Sequence, residues 1–161
     1  MNGLDSLYQQ VILDHYKRPR NFQKLSNANC KAEGHNPLCG DEIEVYLQVD
    51  DGVVTEVRIG GSGCSISQSS ASMMSQAVKG RPIAEVEALV RRFKAMMSIP
   101  DDEGNPIEAD PSVTLGDLEA LQGVVKFPVR IKCATLAWNT LLDALAAGLA
   151  QQRDHAPEGP A

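Results

Sequence analysis

The chain has 161 residues, 43% of them hydrophobic and 4% aromatic, with a formal charge of -6. That length supports one domain with a real hydrophobic core and is too short for two comfortable ones. The acidic balance argues against nucleic acid as main partner, since phosphate binding draws on clustered Lys and Arg, and no apolar run approaches the roughly 20 residues of a membrane span.

The opening "MNGLDSLYQQ" lacks the basic and apolar blocks of a secretory signal and the Arg-rich character of a transit peptide, so a cytoplasmic location is expected. Leu4, Leu7, Tyr8, Val11, Ile12 and His15 recur at helical spacing and predict a first helix that ends by Pro19. "CKAEGHN", from Cys30, predicts a short edge strand. Ile43, Val45, Leu47 and Val49 alternate with polar residues, "DDG" turns the chain, and Val53, Thr55, Val57 and Ile59 continue the pattern, which predicts a hairpin with one buried face.

A glycine-rich loop then reaches Cys64, and a Ser- and Ala-rich helix runs to Gly80. Its small residues suit close packing by another backbone. Ile83, Val86, Val90, Phe93 and Met97 mark the face of a further helix, which stops near Pro100. The acidic, Pro- and Gly-containing stretch 98–113 predicts a surface loop, followed by a short helix at "LGDLEAL". "KFPVR" leads into a strongly apolar last helix with Cys133 expected in its first turn. The expected architecture is α+β: a small three-stranded antiparallel sheet with helices packed on one face, over residues 1–150, and a disordered tail from 151 to 161.

Four cysteines spread over most of the chain, Cys30, Cys39, Cys64 and Cys133, do not resemble a disulfide framework and are expected as ligands or nucleophiles. Cys39, Cys64 and Cys133 lie at predicted element boundaries, where side chains from distant segments converge. Zinc takes four donors from Cys, His, Asp and Glu, and Cys39, Asp41, Cys64 and Cys133 would supply them. Gly40 would permit the bend that lets Cys39 and Asp41 share a centre, and Gly61 and Gly63 would let the Cys64 loop approach it. Cys64 and Cys133, expected at helix N-termini, would have thiols that ionise more readily. An oxygen among sulfurs would leave such a centre open to ligand exchange. Spacing alone leaves two alternatives standing: buried, incidental cysteines, and an Asp41 that merely closes a turn.

Cys30 is expected to pack as a small apolar group, His15 to be a hydrogen-bonded residue on its helix face, and His35 to be a loop histidine near Cys39. "GGSG" lacks the GK[ST] ending of a phosphate-binding loop, and the serine-rich helix lacks a GxSxG elbow.

Three segments, "NPLCGDEI", "GSGCSISQSSASMM" and "VRIKCATLAWNTLLDAL", resemble the IscU/NifU-like family of iron-sulfur cluster assembly proteins, most nearly its SufU branch. The likeness runs from "LYQQVILDHYKRPRN" through the last helix. It implies a metal site of Cys39, Asp41, Cys64 and Cys133, and a zinc-dependent sulfurtransferase or sulfur carrier working with a SufS-type cysteine desulfurase. In that picture a desulfurase histidine replaces Cys39 on zinc, and the freed Cys39 accepts the persulfide sulfur for a downstream iron-sulfur scaffold. Cys133 is the competing acceptor. Lys132 stands where the scaffold branch carries a histidine, and "KFPVR" replaces its chaperone motif. The alternatives are a scaffold that assembles a transient iron-sulfur cluster on the same residues, and a non-catalytic zinc-binding partner module.

Overall fold

The sheet is built around the turn at Asp51 and Gly52, whose φ angles of 51° and 75° suit a tight hairpin. It joins β2, Asp41–Asp50, to β3, Val53–Ser62, and β1, Cys30–Asn36, pairs antiparallel with the other edge of β2. A computed structural model describes residues 3–37 and 39–155, and the side chains of residues 8–37 and 39–148. Leu4 and Leu7 of the predicted first helix face lie outside the described side chains.

Ile43, Val45, Leu47 and Val49 of β2 are all buried and point to the helical side, as their alternation predicts. In β3 the alternation fails at one place. The register slips between Gln48 and Val49, where Val49 pairs with Val54, so Thr55 is an extra residue. The bulge turns Val54 into the core beside Val57 and Ile59, and leaves Thr55 exposed.

The helices lie on one side of this sheet, two of them directly against it. They are α1, Gly3–Lys17; α2, Ser65–Val78; α3, Ile83–Met96; and α4, Pro128–His155. α4 runs along β1 and β2, which requires close approach. A Cβ on Gly34 of β1 would fall 2.3 Å from Thr140 Oγ1, and one on Gly148 would fall 2.0 Å from Cys30 Sγ. Cys30 is therefore a core residue, 3% exposed. Phe93 of α3 stacks on Trp138 of α4, with ring centroids 4.4 Å apart.

The serines of α2 serve packing, as expected. Ser70 Oγ donates to the Ala134 carbonyl at 2.6 Å and accepts from Trp138 Nε1 at 3.1 Å, which fastens α2 to α4. On its other side, Ser72 Oγ accepts from the Arg20 backbone N–H at 2.9 Å and lies 2.8 Å from His15 Nδ1, which fastens α1. The short helix expected at 115–121 is a longer 3₁₀ helix, Gly116–Lys126, with Leu118, Leu121 and Val124 buried. α4 runs to His155, five residues into the stretch expected as tail, because no Pro or Gly interrupts 149–155; the rest of that tail lies outside the described residues.

Candidate metal centre

The end of the sheet carrying the β1–β2 loop is where the predicted donors meet. Cys39 sits in that four-residue loop, 37–40, with its backbone N–H donating to the Asn36 carbonyl at 3.3 Å. Gly40 has φ +69° and nothing within 4 Å of where a Cβ would lie, so glycine is needed there for conformation, not for space. The bend it makes puts Asp41 at the first position of β2, with 0% exposure.

Cys64 arrives from the opposite side as the N-cap of α2, where its Sγ accepts from the Ser67 N–H at 3.5 Å. Its own backbone N–H donates to Asp41 Oδ1 at 2.9 Å, and its thiol lies 3.9 Å from Oδ2. The approach depends on two glycines. Gly61 has φ +113° and lies over the Glu42 backbone, while a Cβ on Gly63 would sit 2.5 Å from Asp41 Oδ1 and 2.6 Å from Ser67 Oγ.

Cys133 departs from its expected position. α4 begins at Pro128, a residue suited to the first helical position, so Cys133 lies in the second turn and not at the N-terminus. It is 0% exposed. Its Sγ lies 3.2 Å from Cys39 Sγ and accepts from Asn36 Nδ2 at 3.7 Å. Burial, together with hydrogen bonding to Cys39 and Asp41 and the charge of Cys64, pushes the Cys133 thiol well above the usual thiol range. Without a cation it is held as the thiol, contrary to the easier ionisation expected of a helix N-terminus.

The donor atoms of Cys39, Asp41 and Cys133 all lie within 4.8 Å of one another. A tetrahedral ion with bonds of about 2.0–2.3 Å spaces its ligands by roughly 3.3–3.8 Å, so two sulfurs and a carboxylate oxygen at these separations fit a borderline-soft divalent cation. Cys64 joins Asp41 but stands outside the trio. As a fourth ligand it would join from the α2 cap, where its thiol already interacts with Asp41 and Cys133.

His35 is exposed, on β1 opposite Glu42, and is not part of the cluster. Two participants went unnoticed in the sequence. Asn36, 7% exposed, closes the β1 ladder opposite Asp41 and reaches Cys133. Arg130 stands one turn before Cys133 on α4, and its electrostatic interaction and hydrogen bond with Cys64 are the main causes that raise its pKa. A cation at position i−3 from a helical cysteine is the pattern that would have pointed to it.

Fold and site together define a small α+β protein whose sheet end carries a cysteine and aspartate cluster of a kind able to hold a metal ion. The family model for the NifU-like N terminal domain matches residues 7–151, and the chain belongs to that family. It is 48% identical over 89% of its length, and 92% of the other's, to the zinc-dependent sulfurtransferase SufU of Bacillus subtilis. It is 39% identical to the iron-sulfur cluster assembly scaffold protein IscU of Streptococcus pyogenes, over 90% of this chain and 86% of that one. A solved structure from Fervidobacterium islandicum, described as a candidate iron-sulfur cluster assembly scaffold protein for the SUF system, superposes with a TM-score of 0.75. It is 33% identical and covers 89% of this chain and 99% of its own. Among the described residues no helix is long and apolar enough to cross a membrane.

Proposed function

We propose that this chain is a zinc-dependent sulfurtransferase of the cytoplasm that takes persulfide sulfur from a SufS-type cysteine desulfurase onto Cys39 and passes it to a downstream iron-sulfur scaffold. Cys39, Asp41, Cys64 and Cys133 would hold the zinc. The observation that carries this reading is the difference in exposure within the close trio: Cys39 is partly exposed on a loop, whereas Asp41 and Cys133 are wholly buried, and Cys64, half-buried like Cys39, is tied to Asp41 and to the α2 cap. One donor can leave while the others keep their places.

Bound zinc supplies positive charge that keeps the thiols ionised and shields them from oxidation. The Cys39 thiolate attacks the outer sulfur of the desulfurase persulfide. The sulfur–sulfur bond breaks, the desulfurase cysteine leaves as thiolate, and Cys39 becomes the persulfide. Gly40 lets the loop swing without dragging Asp41 from Cys64. Phe127 and Val129, 62% and 59% exposed at the start of α4, offer apolar surface beside the cluster for a protein partner.

The test combines anaerobic purification and metal analysis with desulfurase turnover in the presence of this chain. Tightly held zinc, stimulated turnover and a Cys39 carrying one added sulfur by mass are expected, and Cys39→Ala should abolish the transfer while keeping the fold. Iron with acid-labile sulfide would select the scaffold instead, and zinc without stimulation would select a binding module. Undiminished sulfur acceptance by Cys39→Ala would sink the assignment of Cys39.

A further inference from the structure

We propose that Cys39 and Cys133 form a dithiol pair that closes to an intramolecular disulfide when the metal-free protein meets a peroxide. The inference concerns the thiols alone and does not depend on sulfur transfer. Their sulfurs are 3.2 Å apart although the residues are 94 positions apart in the chain. A disulfide needs about 2.05 Å between sulfurs, so closure requires a movement of roughly 1.1 Å. Cys39 is the member able to move, since Gly40 beside it is in the left-handed region with nothing crowding it.

The two sulfurs also differ in access, which divides their roles. Cys39 is partly exposed and meets the oxidant; Cys133, wholly buried directly beside it, does not. The Cys39 thiolate attacks one peroxide oxygen, the O–O bond breaks, hydroxide leaves, and the sulfur becomes a sulfenic acid. The Cys133 thiol then attacks that sulfur and gives up its proton, and the sulfenic oxygen leaves as water. Two thiols are oxidised and one peroxide is reduced to two waters.

The other cysteines are placed to stay out of this reaction. Cys64 is half-buried like Cys39, but it accepts from the Ser67 N–H at the α2 cap and stands outside the close trio of donors, so it lacks a buried thiol at the 3.2 Å that separates Cys39 from Cys133. Cys30 is buried in the core at the far end of β1, six residues from Asn36, which is about 20 Å at ordinary strand rise. Closure therefore removes two of the cluster's donors together, and zinc would enter only after reduction.

The experiment uses the full chain, reduced, stripped of metal with a chelator, desalted, and treated with one equivalent of hydrogen peroxide. Free thiols should fall from four to two without dimer formation, and peptide mapping should find Cys39 joined to Cys133. Cys64→Ser and Cys30→Ser should close in the same way, whereas Cys133→Ser should leave a Cys39 sulfenic acid that a dimedone probe captures. Zinc-loaded protein should keep its thiols under the same dose, and dithiothreitol should restore zinc uptake to the oxidised chain. A bond from Cys64 to either partner, an intermolecular dimer, or Cys39 driven to sulfinic acid with Cys133 still free would overturn the proposal. Mapping of the unaltered chain decides this even where a variant fails to fold.

Discussion

Gly63→Ala isolates the contribution of a single close approach to the metal site. The backbone at Gly63 lies outside the left-handed region, unlike Gly61, so alanine brings no conformational strain and only a methyl group is added. That methyl would stand 2.5 Å from Asp41 Oδ1 and 2.6 Å from Ser67 Oγ. The serine hydroxyl can rotate away; the carboxylate is buried and must shift by about 1 Å to reach ordinary contact distance. Its bond from the Cys64 N–H, 2.9 Å long, would then stretch beyond hydrogen-bonding range. Bonds to charged groups contribute about 1.5–3 kcal/mol, and the metal-free variant should be less stable by that amount in urea unfolding. Displacing the carboxylate as a donor should also weaken zinc binding by about 10–100-fold, measured by competition with a chromophoric chelator. A folded Gly63→Ala protein with zinc affinity within about twofold of the parent would refute Asp41 as a ligand, because loss of a donor's position cannot leave affinity untouched.

His15 should make the metal-free protein sensitive to mild acid. Burial, then Arg20, lowers its pKa below the ordinary 6.5 against the opposing pull of Asp117 and Asp14, so the unfolded chain takes the proton more readily. Its contribution is complete above about pH 6.5 and is lost as pH falls from there, and His15→Gln should flatten the slope of unfolding free energy between about pH 7.5 and 5.5. Gly148→Ala, whose methyl would fall 2.0 Å from Cys30 Sγ, should cost about 1–3 kcal/mol by overpacking. Adding Cys30→Ala should recover at least about 0.5 kcal/mol as a coupling energy in urea unfolding, and simple additivity would contradict that contact.

The elements most legible in the sequence were those whose signal is local. Apolar residues at helical spacing placed α1 and α3, and "DDG" placed the β2–β3 turn, because periodicity and φ preference are properties of a few neighbouring residues. Faces and ends were less accessible. The Thr55 bulge changes which valines of β3 enter the core, yet Val53, Val54 and Thr55 read equally well in either register, and pairing with β2 settles it. The start of α4 is a similar case. Cys133 lies five positions after Pro128, and that displacement moves the cysteine from an exposed, polarised helix terminus to a buried turn under Asn36 and Cys39. The same donor thereby changes from one favoured as a thiolate to one held as a thiol. Spacing could nominate Cys39, Asp41, Cys64 and Cys133 as a group, since boundary positions converge. It could not rank them, because rank follows from exposure, and exposure depends on the packing of α4 against β1 through Gly34 and Gly148. That packing buries Cys133 and leaves Cys39 as the sulfur of the close trio that a partner or an oxidant can reach.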